Sequence, residues 1–157
     1  MAYQISRNIE ASLIDRMVYD LAHATPAWTG IYVEKVAAKI YGGNYPGFVV
    51  NVQEIRPQKL EIGSKTNLKY FTVYIRFFAE DDGQRLDLTD WLFTKLEDDT
   101  LYYAYTITSG AVSAKVLSGR IVITKWTDNR KELTNTENLE KKDRYRHILS
   151  FECYVAL

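Results

Sequence analysis

Residues 143–157 read DRYRHILSFECYVAL. Tyr145, His147, Leu149, Phe151, Cys153 and Val155 fall on one side of an extended chain, and Arg144, Arg146, Ile148, Ser150, Glu152 and Tyr154 on the other. That period of two, rich in aromatic and branched residues, marks a half-buried strand. The sequence given reaches its last residue inside this strand, where a frayed polar tail is commoner. A strand of this kind needs partners. The stretch 119–127, GRIVITKWT, is the expected one, which would make the last strand of the chain interior to its sheet.

Working outward, residues 6–23 predict a helix, with Ile9, Leu13, Met17 and Leu21 four apart and Ile14 and Val18 widening the stripe. Ser6 is the expected cap, and Thr25-Pro26 the expected stop. Residues 29–41 fit both periods; we assign a strand over 30–37. Residues 48–55 alternate as a strand, and a polar connection, RPQKLEIGSKTNLK, follows. Residues 70–79 are the clearest strand: Phe71, Val73, Ile75 and Phe77 inward, Tyr70, Thr72, Tyr74 and Arg76 outward. A second helix is predicted over 84–97 on Leu88, Trp91, Leu92 and Leu96, and further strands at 101–108 and 119–127. Residues 127–142 are polar and aperiodic, which predicts a loop or arm. Helices separated by runs of strands give an α+β fold: one domain over 1–157, a mainly antiparallel sheet with two helices packed on one face.

The bulk numbers exclude several classes. Twenty basic and twenty acidic side chains cancel, against a dedicated nucleic-acid binder or a protein held on anionic lipid. No apolar run approaches the ~20 residues of a membrane helix, and MAYQISRNIEAS lacks a signal peptide's apolar block, so the expected address is the cytoplasm. Cys153 stands alone, so no intrachain disulfide forms. Twelve Tyr, six Phe and three Trp suit either interfaces or simple strand packing.

Chemical motifs are missing. His23 and His147 are isolated, and with one cysteine they make no convincing zinc set. His147 shares a strand face with Phe151 and is expected to pack; Cys153, ~20 Å further along a straight strand, reads as a small buried apolar residue. The clusters Glu80-Asp81-Asp82 and Glu97-Asp98-Asp99 flank the second helix, where solvated charge is the usual reason, and Asp87 and Asp90 share a wet helix face. A divalent-metal enzyme built on these acids is the least favoured reading. The glycines form no phosphate-binding motif. We therefore expect no enzyme, cofactor or metal. Arg130, Lys131, Lys141, Lys142, Arg144 and Arg146 gather near the last loop with Glu132, Glu137, Glu140 and Asp143 among them. Mixed signs suit a protein–protein rim, or an ordinary soluble surface.

The layout resembles the small neck and tail-completion proteins of tailed bacteriophages, above all the tail terminators. It is carried by NIEASLIDRMVYDL, FVVNVQEI, the EIGSK connection, YFTVYIRFFAEDDGQRLDL passing from strand to helix, GRIVITKW and RYRHILSFECYVAL. The resemblance implies a non-enzymatic virion protein, assembled in the host cytoplasm, that forms a ring, commonly of six subunits. Such a ring terminates the tail tube or joins it to the neck, and some relatives cap a contractile sheath. Partners would be other copies and tail, neck or sheath proteins, with DNA free to pass through the lumen. The polar 127–142 segment is longer than a minimal terminator needs. Residues expected at the subunit contact are Tyr70, Tyr74, Arg76, Arg130, Lys131, Arg144, Arg146, Glu152 and Tyr154. A small adaptor module using the aromatic sheet face is the competing reading.

Overall fold

The computed structural model describes residues 5–59, 67–132 and 145–157. In chain order the elements are α1 (Ile5–His23), β1 (Tyr32–Glu34), α2 (Ala37–Tyr41), β2 (Gly47–Lys59), β3 (Asn67–Phe78), α3 (Asp82–Leu96), β4 (Thr100–Thr108), β5 (Ala111–Lys131) and β6 (Arg146–Ala156). The six strands form one curled sheet in the order β1-β2-β3-β6-β5-β4. It is mixed, because β1 runs parallel to β2 while the other pairings are antiparallel. The fold is α+β. The strand last in sequence is interior in space, paired to β3 on one side and β5 on the other.

The inner face carries the main core. Phe48 and Val50 of β2, Phe71, Val73, Ile75 and Phe77 of β3 and Leu149, Phe151 and Cys153 of β6 are all buried there. Against them lie Ile9, Leu13, Met17 and Leu21 of α1, spaced as the helical period requires, and Leu88, Leu92 and Leu96 of α3. Each such side chain contributes roughly 1.5–3 kcal/mol on leaving water. Val18 does not join the stripe; it is about half exposed.

Two helices on one face is corrected to three on both. Residues 29–41 contain both elements that their two periods suggest, β1 and then α2. Short α2 packs on the outer face, where Ile40 meets Val49 and Phe78 with Tyr45 against them. The helix start is also corrected: Ser6 lies inside α1. For α3 the acid run does cap the helix, since Asp81 accepts the Gln84 amide at 2.7 Å. Gln84 in return accepts the Glu80 amide.

Polar side chains of α1 clasp the curled sheet at two strands. Glu10 accepts the amide of Val52 on β2 at 2.8 Å. Ser12 and Asn8 accept the amides of Tyr103 and Tyr105 on β4. The β4 edge is thereby covered by a helix rather than left open to another strand. Arg16 donates to the carbonyls of Lys95 and Asp98, placing a cation at the C-terminal end of α3.

β5 is far longer than the predicted 119–127, and residues 127–131 belong to it rather than to a loop. Two bulges set its faces. Strict alternation from Ile121 and Ile123 would turn Lys125 inward. The first bulge turns Lys125 out and Trp126 in, its ring 5.1 Å from Phe151 and 4.6 Å from Phe93. The second lets Thr127 and Asp128 reach Ser150 on β6. The polar connection after β2 is likewise shorter than expected, because β2 and β3 extend to Lys59 and from Asn67. EIGSK, the arm at 133–142 and Arg144 lie outside the described residues.

Residues 111–119 of β5 pair only with β4, since the β5–β6 register ends at Arg120 opposite Ala156. The hairpin turns through Ser109 and Gly110, both at positive φ, the combination a tight two-residue turn demands. Glycine is also required at Gly119, where a Cβ would sit 2.2 Å from the Ala156 carbonyl oxygen.

Candidate functional site: the outer face of the sheet

The register places Tyr70, Tyr74, Arg76, Arg130, Arg146, Glu152 and Tyr154 together on the outer face. Lys131 is the exception. It stands opposite His147, on the inner side, 4.0 Å from Asp82 of α3 and against the Tyr145 ring.

At one end of this face Tyr70 and Tyr154 meet edge to face, ring centres 6.2 Å apart. Arg56 lies 5.2 Å from the Tyr70 ring centre and donates to both oxygens of Glu152 at 3.0 Å. Midway, Tyr74 pairs with Ser150, whose hydroxyl donates to Asp128. At the other end Glu132 bridges Arg146, at 3.1 Å, and Arg76, at 3.7 Å, while Arg146 covers the Phe78 ring. In two of these pairs the carboxylate is drawn in and the guanidinium stands out: Glu152 is 22% exposed against 55% for Arg56, and Asp128 30% against 55% for Arg130, whereas Arg146 and Glu132 are equally sunken. Water therefore meets tyrosine rings, the Arg56 and Arg130 heads and the exposed Glu54 carboxylate opposite Thr72.

The inner side holds a buried polar cluster that the sequence reading missed. Arg85 donates to His147 Nδ1 at 2.7 Å and to Asp82 at 2.9 Å. An arginine only donates, so the imidazole carries its proton on Nε2 and gives it to Asn129 Oδ1 at 2.8 Å. Burial, then the Arg85 charge, lower the His147 pKa from 6.5 to about 4, with Asp90 opposing. His147 is thus packed and neutral. Burial also raises the Cys153 thiol to about 12, leaving it a poor nucleophile. The one available signal for Arg85 was its spacing, since it precedes Leu88, Leu92 and Leu96 on the buried stripe of α3.

Two surface grooves complete the description. One, of about 390 Å³, lies between α1 and β4 beside Asp15, Arg16, Tyr103 and Lys115. The other, of about 500 Å³, lies beside Pro26, Trp28, Trp91 and Lys95. Among the described residues no three His, Cys, Asp or Glu side chains converge as a metal set, and no helix is long and apolar enough to cross a membrane. From Thr106 to Leu117 the β4–β5 hairpin is exposed throughout, with Val112, Val116 and Leu117 each more than half exposed. Strand propensity alone carries no signal for such a protrusion.

No family model matches the chain, and comparison with curated proteins finds no match.

Proposed function

We propose that this chain is a self-assembling structural protein of a tailed phage. It forms a homomeric ring, of six subunits by resemblance, at the head–tail junction, where it terminates the tail tube or joins it to the neck, without enzymatic chemistry or cofactor. The observation that carries the self-assembly is the outer face, where tyrosine rings and exposed guanidiniums lie on the strands that fill the middle of the sheet. Tyrosine and arginine are the residue types that interface cores favour. The finer reading, a tail-terminator-like fold, rests on the layout of helix, strands, helix and strands, and a sheath-collar role for a contractile tail shares that support.

Native mass spectrometry and negative-stain imaging of the purified chain test this. Annuli and a discrete multiple of 18.2 kDa are expected. A strict monomer at high concentration, with no annuli, favours the adaptor reading, for which the exposed hairpin bearing Val112, Val116 and Leu117 is the specific observation.

A further inference from the structure

The chain is neutral, yet its charge is segregated. Residues 80–99 hold eight of the twenty carboxylates and only two of the twenty cations. All eight carboxylate residues are exposed, while Arg85, one of the two cations, is buried. This stretch is α3 with its flanks, and its wet side presents Asp87 and Asp90 around Leu86, itself 46% exposed. α3 packs by Leu88, Leu92 and Leu96 on the inner face of the sheet, so the acidic surface looks away from it. Across the sheet lies the outer face, where Arg56, Lys125 and Arg130 are exposed against one exposed carboxylate on the same strands, Glu54, and Arg56 and Arg130 project past their sunken carboxylate partners. One molecule thus carries opposite signs on opposite sides.

We infer that the joint between copies is head to tail, with the acidic side of α3 on one copy seated on the outer sheet face of the next. The inference rests on the self-assembly reading and adds which two surfaces meet. Charge decides the pairing. A two-fold joint would set α3 against α3, or the arginine-bearing face against itself, and either juxtaposes like charges. A heterologous joint satisfies both surfaces at once, and repetition of such a joint closes a ring when its rotation allows. Leu86 is the apolar anchor on one side; the rings of Tyr70, Tyr74 and Tyr154 receive it on the other.

The test uses the full chain and two charge-reversed variants, Asp87→Lys with Asp90→Lys, and Arg56→Glu with Arg130→Glu. All four side chains are exposed, and circular dichroism and thermal melts check that each variant folds. Sedimentation velocity is run at roughly 0.05 M and roughly 0.5 M salt, since screening lengths shrink from about 14 Å to about 4 Å over that range. Wild type is expected to assemble, at least tenfold more weakly in high salt. Each variant alone is expected to sediment as a folded 18.2 kDa monomer. Mixed one to one, the variants regain assembly, because each supplies the sign the other lost. Variants that still assemble alone, or a mixture that stays monomeric, overturn this joint while leaving wild-type rings, and so the proposed function, standing. Wild type that stays monomeric in both salts overturns the joint together with the self-assembly it rests on.

Discussion

The two faces of β6 have the same backbone and nearly the same neighbours, yet they are under different constraints. Inward, Leu149, Phe151 and Cys153 are almost inaccessible and packed among side chains from β2, β3, α1 and α3. Outward, Glu152 and Tyr154 touch only their own face and water. The inner residues hold the molecule together; the outer ones are free to be chosen for what they meet. If that division is right, substitutions two or three residues apart on one strand differ several-fold in their cost to folding.

The largest expected effect tests the inner side. Phe151→Ala empties the centre of the core, and such truncations cost about 3–5 kcal/mol. Tyr154→Ala, three residues on, is expected to cost under about 1 kcal/mol in the monomer, because the Tyr154 ring is only partly buried and lies on the outer face. Urea unfolding of both variants at a dilution that keeps the chain monomeric gives the comparison directly. Removing residues 149–157 goes further and is expected to abolish cooperative unfolding, since β3 and β5 then face each other across an empty strand position. Equal costs at Phe151 and Tyr154 would dissolve the distinction between the faces.

Much of this division was legible beforehand, and the reasons are specific. Phe71, Val73, Ile75 and Phe77 alternate without interruption, and the pairing of the last strand with 119–127 follows from two apolar runs that both need covering. Bulges were not legible. Nothing local announces that the face of β5 shifts at Thr124 and again at Thr127; the cause is the fit of Trp126 against Phe151, a contact between distant residues. The hairpin from Thr106 to Leu117 was invisible for the opposite reason, since it buries no face and so shows no burial pattern. Within the candidate site, parity placed Tyr70, Tyr74, Arg76, Arg146, Glu152 and Tyr154 on one face. Arg130 and Lys131 came from a stretch read as a loop; as consecutive residues of β5 they face opposite ways, and Lys131 turns inward.

The second effect sharpens what the inner face tolerates. His147 has its folded pKa lowered to about 4 from 6.5, by burial and by Arg85. Above pH 6.5 it is neutral folded or unfolded and contributes no pH dependence. Between 6.5 and 4 the unfolded chain takes up a proton that the folded chain refuses, so stability falls as pH drops. The loss reaches about 3 kcal/mol near pH 4. Denaturation midpoints measured across that window are expected to flatten in His147→Gln, which keeps an acceptor for Arg85 and cannot titrate. An unchanged slope in that variant would mean that other groups, not this imidazole, govern the acid limb.

A third, smaller effect concerns how the sheet is closed on α1. Asn8 is nearly inaccessible, accepts the Tyr105 amide and donates to the Tyr102 hydroxyl. Asn8→Ala leaves both buried groups without that partner, at about 1–3 kcal/mol. Hydrogen exchange distinguishes a clasp from general packing: the Tyr105 amide is expected to lose protection by a larger factor than the amides of β3, which α1 does not cap. Uniform loss across the sheet would assign Asn8 to packing alone.

The smallest effect belongs to the outer face. Arg56 and Glu152 form a two-pronged ion pair, but Arg56 is more than half exposed, so solvent screening limits its value to the folded monomer. A double-mutant cycle, Arg56→Ala with Glu152→Ala, is expected to return a coupling under about 1 kcal/mol, shrinking further in salt. The same Arg56→Ala change is expected to weaken self-association by much more than it weakens folding, because a guanidinium sealed between two copies loses the water that screens it in the free chain. Arg56 thus separates the two faces most sharply. A residue nearly silent in unfolding and costly in assembly is chosen for the contact, whereas one equally costly in both belongs, like Phe151, to the fold.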